Sequence, residues 1–260
     1  MIGVFDSGLG GLSVLDALVA ALPQTDIHYV ADSAHVPYGN KPDAFIRERV
    51  LTIGDALVAR GCTLLVVACN TATTAAIRAL RERHPQVPVV GIEPGIKPAV
   101  ARSRRKHIAV LVTEATARSE RLARLIAEHT QGVTVDVVPC PGWATHVEQL
   151  QLADPALAAD VQQRLAPTLA AGADQVVLGC THYGFLRGLI DAVVAGRAEL
   201  VEVSAAVARQ AVRCYQATGS THGRIELLAT TNPERLAAAL PSLGLHALAA
   251  RIAAVTVLAA

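Results

Sequence analysis

The chain has 260 residues, of which 52% are hydrophobic and 17% charged, so general disorder is excluded and one or two packed domains are expected. A formal net charge of +1 and an aromatic content of 3% argue against a dedicated nucleic-acid surface or base-stacking platform. No apolar run reaches the roughly 18 residues of a membrane span, and Met1–Asp6 lacks the features of a secretion signal; the expected location is the cytoplasm.

Short runs rich in Val and Ile predict strands at Ile2–Phe5, Ile27–Val30, Leu64–Ala68, Val89–Ile92, Ile108–Val112, Val133–Val138, Val176–Gly179 and Leu200–Val203. Several are continuously apolar, as parallel strands covered on both faces are. Helical patterns lie between them. One is read from Gly8 to Leu22. In a second, Ile46, Val50, Ile53 and Leu57 recur on one face. In a third, Leu122, Leu125 and Ile126 follow Thr116, and in a fourth Leu157, Val161, Leu165 and Leu169 form a stripe. Alternating strands and helices predict an α/β fold with mostly parallel sheets flanked by helices.

The order of elements repeats. Ile2–Ser7 aligns with Ile108–Thr113, and the run from Gly61 to Cys69 aligns with that from Gly172 to Cys180. In both, a cysteine comes eight positions after the glycine. The chain therefore reads as two similar halves and a tail.

Five cysteines are present: Cys62, Cys69, Cys140, Cys180 and Cys214. Their odd number and the absence of CxxC, HExxH or a close His/Cys cluster argue against a disulfide framework and a structural zinc site. Cys62, Cys140 and Cys214 read as core filler. Cys69 and Cys180 each fall where a strand stops and a helix begins, the edge at which open α/β sheets bind ligands. A thiolate there is stabilised by unpaired backbone N–H groups. Two such groups on opposite faces of one carbon invert a stereocentre without a cofactor. A redox pair, a covalent nucleophile and plain burial are the other readings.

Neighbouring residues bear on the choice. Asn70, Thr71 and Thr181, at helix starts, suit a bound anion such as a carboxylate. Asp6 either assists the chemistry or caps the first helix. Gly8, Gly10 and Gly11 echo a dinucleotide loop, but Ser13 replaces its third glycine and Asp6 repels phosphates. Lys41, Lys97 and Lys106 lack the phosphate-loop context of a pyridoxal phosphate enzyme. The basic run Arg102–His107 reads as a solvated linker.

Four motifs in order resemble those of the cofactor-independent aspartate/glutamate racemase family, and within it those of glutamate racemases. They are Asp6-Ser7-Gly8, Asp32-Ser33 with Pro37-Tyr38-Gly39, Cys69-Asn70-Thr71, and Leu178-Gly179-Cys180-Thr181-His182-Tyr183. Gly91–Gly95, Thr113 with Thr116 and Ser119, and Thr230–Pro233 echo it more weakly. The resemblance implies interconversion of L- and D-glutamate, without cofactor or metal, to supply peptidoglycan synthesis. It implies two α/β domains, residues 1–97 with 207–260 and residues 98–206, related by a pseudo-twofold axis with the substrate in the cleft between them. Cys69 would take the α-proton of D-glutamate and Cys180 that of L-glutamate, with Asp6 and His182 assisting and Glu148 supporting His182. Asp6, Ser7, Pro37, Tyr38, Gly39, Cys69, Asn70, Thr71, Cys180, Thr181 and His182 would contact the substrate. A homodimer is implied, with no membrane or nucleic-acid partner. Because the chain begins at its first strand, activation by a peptidoglycan precursor is not expected. The alternatives are racemisation of aspartate or another amino acid, and a non-catalytic role on DNA gyrase.

The sequence departs from the family pattern at three places. Gly184-Phe185 stands where a proline and a leucine-like residue usually follow the tyrosine, which loosens the start of that helix. Glu202-Val203 replaces an aspartate followed by a small residue or proline. Trp143 and His146 near Glu148 are unusual.

Overall fold

The computed structural model describes residues 1–216 and 222–258. It divides into two compact units, Met1–Ile92 with Ser204–Ala260, and Glu93–Val203. Ten strands are present among the described residues: β1 (Ile2–Asp6), β2 (Ile27–Ala31), β3 (Leu64–Val67), β4 (Val89–Gly91), β5 (His107–Val112), β6 (Thr134–Pro139), β7 (Gln175–Leu178), β8 (Glu199–Val201), β9 (Ile225–Ala229) and β10 (Ile252–Val257).

The first unit holds a six-stranded sheet of order β10-β9-β2-β1-β3-β4, and every pairing in it is parallel. β1 and β3 are buried along their whole length, which is why Ile2–Phe5 and Leu64–Val67 are unbroken apolar runs. The helix Asp43–Ala59 buries Ile46, Val50, Ile53 and Leu57, the face its periodicity marks. Two strands are additions to the sequence reading. The tail after Ser204 supplies β9 and β10, and β9 pairs with β2.

The second unit holds a four-stranded parallel sheet of order β6-β5-β7-β8. Helix Pro155–Ala170 buries Leu157, Val161, Leu165 and Leu169. Helix Glu120–His129 buries Leu122 fully, while Leu125 and Ile126 pack half-buried against the same core.

The two sheets share one plan. β1 lies between β2 and β3, and β5 lies between β6 and β7. Ile2 pairs with Leu64 and Phe5 with Val67; the aligned positions Ile108 and Leu111 pair with Gln175 and Leu178. The repeat therefore survives at the level of strand register. In each sheet the chain reverses its direction of travel between the central strand and the strand that leads into the cysteine. Ligands bind outside the carboxyl ends of strands at such a point.

The first helix starts later than expected. It runs Leu12–Ala21, because residues 7–11 form a loop tied to the Asp6 carboxylate. Gly11 is required there by space: a Cβ would come within 2.6 Å of the Asp6 Cβ and 2.9 Å of the Tyr29 hydroxyl. No helix among the described residues is long and apolar enough to cross a membrane.

Gly179, just before Cys180, is equally constrained. A Cβ at Gly179 would lie 2.6 Å from Val112 Cγ1 and 2.7 Å from the Leu111 carbonyl oxygen. Backbone cannot yield cheaply, so Gly179→Ala should destabilise the protein by about 1–3 kcal/mol. Urea unfolding checks this; an unchanged midpoint would contradict the close approach of β7 to β5.

Candidate active site

In the first unit the site is built on the ends of β1 and β3. Cys69 is the N-cap of helix Asn70–Arg83, and its Sγ accepts the Ala72 N–H at 3.4 Å. The thiol also reaches Ser7 Oγ at 3.8 Å. A sulfur in this position sits against the positive end of a fourteen-residue helix, which favours negative charge on it. Asp6 is buried at the end of β1, and its Oδ2 accepts the N–H groups of Gly8 at 3.1 Å and Gly11 at 3.0 Å. The carboxylate thus shapes the loop that carries Ser7. Asn70 is 3% exposed, and neither its Oδ1 nor its Nδ2 has a hydrogen-bond partner among the described residues. A buried amide in that condition is costly and offers a ligand both a donor and an acceptor. Thr71, next in the chain, and Ser7, which reaches Cys69, are also buried.

The segment Pro37-Tyr38-Gly39 follows a cis Val36–Pro37 peptide. Tyr38 serves the packing of this loop. Its ring is buried and its hydroxyl donates to Asp32 Oδ2 at 2.6 Å. Burial, and then the neighbouring Asp32 charge, hold the phenol far above its usual pKa. Asp32 also accepts from Arg49 at 2.9 and 3.1 Å and from Thr230 Oγ1 at 2.9 Å. Ser33 Oγ donates to the Thr231 carbonyl at 2.7 Å. This network ties the loop to β9, and it accounts for both the Asp32-Ser33 and the Thr230-Thr231 motifs. Sequence reading did not find the roles of Asp32 and Arg49. An acid at a strand end carries no local signal of a partner 17 residues away.

In the second unit the sulfur is served differently. Cys180 follows β7, but Thr181–Leu186 forms a 3-10 turn, and the α-helix begins only at Arg187. Among the described residues no backbone N–H caps the Cys180 sulfur. A helix does start at this thiol, as expected, but it is a 3-10 helix that gives the sulfur no capping N–H. Gly184-Phe185 falls inside this turn. Instead, His182 Nδ1 lies 3.7 Å from Cys180 Sγ, and His182 Nε2 lies 2.6 Å from Glu148 Oε1. Burial pulls the imidazole pKa down, but the hydrogen bonds to Cys180 and Glu148 outweigh it, and the net shift is well upward. A charged ring donates Nδ1–H to the sulfur and Nε2–H to the carboxylate. Thr181 is buried next to the thiol in sequence. Cys180, His182 and Glu148 thus form one line of contact, while Cys69, Ser7 and the start of its helix form the other.

The remaining cysteines show what burial does without such partners. Burial pushes the Cys62 thiol up to about 11 and the Cys140 thiol higher still. Cys214 is half-buried near Gln210. All five cysteines are free thiols. No cluster of three or more His, Cys, Asp or Glu side chains able to hold a metal occurs among the described residues.

Comparison with known proteins agrees with this arrangement. The sequence profile of the Asp/Glu/Hydantoin racemase family matches residues 2–220. The chain belongs to that family. A glutamate racemase of Methylococcus capsulatus is 47% identical over 240 residues, covering 91% of this chain and 88% of that protein. One from Pseudomonas aeruginosa is 47% identical over 216 residues, covering 83% and 82%. Among solved structures, Escherichia coli glutamate racemase, in complex with L-glutamate and the activator UDP-MurNAc-ala, superposes with a TM-score of 0.87 at 31% identity, covering 99% of this chain and 97% of that one. The Asp/Glu/Hydantoin racemase fold thus extends over nearly the whole molecule.

The His182 shift makes a pH-dependent expectation. Because the folded protein favours the charged ring, His182 adds stability below its unfolded pKa of about 6.5, and this is lost as pH rises through the folded value. Glu148→Gln should lower the His182 titration, followed by NMR of the imidazole protons, and shrink that stability. An unchanged titration would contradict the Glu148 contact.

Proposed function

We propose that the chain is a glutamate racemase that interconverts L- and D-glutamate by two-base proton transfer and supplies D-glutamate for peptidoglycan. The observation that carries this reading is the matched placement of Cys69 and Cys180. Each follows the corresponding strand of its sheet, Cys69 with the Ala72 N–H and Ser7 at its sulfur and Cys180 with His182 at its own.

The mechanism follows from those neighbours. The Cys69 thiolate takes the α-proton of D-glutamate, breaking C–H and forming S–H. The Cys180 thiol returns a proton to the other face, breaking S–H and forming C–H. Nothing is oxidised or consumed, and the reverse reaction starts from L-glutamate with the roles exchanged. For two bases to serve one carbon, the mechanism requires the sulfurs to approach it from opposite faces. The intermediate is carbanionic, so its α-carboxylate needs fixed donors. Asn70, Thr71 and Thr181, with Ser7, provide them in this reading. The unpartnered Asn70 amide supports the assignment. Asp6 holds the loop beneath Cys69, and Pro37, Tyr38 and Gly39 contribute through their backbone, since the Tyr38 hydroxyl is given to Asp32. His182, charged and backed by Glu148, stabilises negative charge on Cys180. We also propose that the protein acts in the cytoplasm as a homodimer and needs no nucleic-acid partner.

The test uses purified protein under reducing conditions without added cofactor, with circular dichroism as the readout. L- and D-glutamate should each converge on the racemate, far faster than aspartate. Cys69→Ser and Cys180→Ser should each reduce the rate by at least about a hundredfold, the usual worth of a positioned acid or base. Near-normal racemisation in either variant would overturn the two-base scheme.

A further inference from the structure

The helix that carries Glu148 is short. It runs Trp143–Glu148, six residues, too few to hold a position by its own hydrogen bonds. Something else must aim Glu148 at His182. The structure places that something at the other end of the helix.

Trp143 is 1% exposed, and its indole N–H donates to Asp160 Oδ2 at 2.6 Å. Asp160 stands on helix Pro155–Ala170, where Arg164 donates to the same oxygen at 2.7 Å. Arg164 also donates to the Pro139 carbonyl, at the end of β6, at 2.9 Å. Burial favours the protonated acid, but Arg164 and Trp143 outweigh it and hold the Asp160 carboxyl below its ordinary pKa. The face of the contact matters as much as the hydrogen bond. The Trp143 ring meets Tyr183 edge to face, with centroids 5.2 Å apart and planes at 65°. Tyr183 is fully buried, adjoins His182 in the chain, and donates its hydroxyl to the Cys140 carbonyl at 3.2 Å. The short helix is therefore fastened to the Thr181–Leu186 turn twice, by Trp143 on Tyr183 at its start and by Glu148 on His182 at its end. The turn itself lacks the α-helical ladder that fixes the residues after Cys69.

We propose that Trp143 and Asp160 are positioning residues for the Cys180 half of the reaction: they set the geometry at which Glu148 meets His182. Neither touches the reacting atoms. The proposal rests on the racemase reading above and deepens it.

Trp143→Phe keeps an aromatic ring against Tyr183 and removes the indole N–H. Asp160→Asn keeps the shape and removes the charge. Each should lower kcat by about tenfold, the scale of a lost hydrogen bond to a charged group. The equilibrium constant of a racemisation is one, so kcat/KM is equal in both directions and cannot separate the two halves. Substrate isotope effects can. The deuteron of α-deuterated L-glutamate leaves to Cys180, and that of the D-enantiomer leaves to Cys69. A slowed Cys180 half makes the first removal more rate-limiting and the second less so. The isotope effect should therefore rise on L-glutamate and fall on D-glutamate. Equal change on both sides, no change, or an unchanged kcat would overturn the proposal. A second readout does not depend on turnover. In Asp160→Asn and Trp143→Phe the His182 NMR titration should move downward, and an unmoved titration would also overturn it. That readout still decides the matter if the unmodified protein fails to racemise glutamate, a failure that would strike the functional reading alone. Should Trp143→Phe not fold, Asp160→Asn retains the indole, the chain's only tryptophan, whose fluorescence then reports that the helix is still in place.

Discussion

A thiol buried in a protein core resists ionisation, because burial penalises the charged form. Cys62 and Cys140 illustrate the consequence, with thiols pushed well above their ordinary range. A carbon acid as weak as an amino acid cannot be deprotonated by such a group. Any account of Cys69 and Cys180 as bases therefore depends on how each buried sulfur is given a place where negative charge is tolerated. Both are nearly as buried as the inert cysteines, at 5% and 8% exposed, so exposure is not the answer.

The fold supplies two different answers. Parallel pairing brings β3 and β7 alongside β1 and β5 in the same register, and each cysteine follows at the carboxyl edge. At Cys69 the next residues enter an α-helix at once, so the sulfur caps it and the Asp6-tied loop brings Ser7 to it. At Cys180 the chain makes a 3-10 turn, and an imidazole backed by a carboxylate takes the place of the helix end. The repeat is therefore symmetric in strands and register but not in electrostatics. One sulfur leans on backbone dipoles, which do not titrate. The other leans on a side chain that does, and the aim of that side chain has to be maintained by packing.

The central strands β1, β3, β5 and β7 were legible because burial on both faces favours Val- and Ile-rich runs, and the less buried β6 and β8 through the short apolar stretches they share. β9 and β10 were not. Ile225–Ala229 is short and carries Glu226, and Ile252–Val257 has mostly half-buried or exposed positions, so neither stands out from helical tail sequence. The two cysteines were legible through their matched spacing from Gly61 and Gly172. What remained hidden were partners distant in sequence. Nothing local announces that Asp32 joins Arg49, Tyr38 and Thr230, or that Trp143 reaches Asp160. The 3-10 turn at Thr181–Leu186 was hinted at only by Gly184-Phe185.

The most direct measurement of the central claim is the fate of solvent deuterium in a single passage through the site. L-glutamate is incubated in D2O under initial-rate conditions, and both enantiomers are recovered and analysed by mass. Two separate bases predict α-deuterium in the D-glutamate formed and almost none in the L-glutamate recovered, with the mirror result from the other side. Deuterium entering the recovered substrate as fast as product forms would mean that one base serves both faces, and would contradict the account.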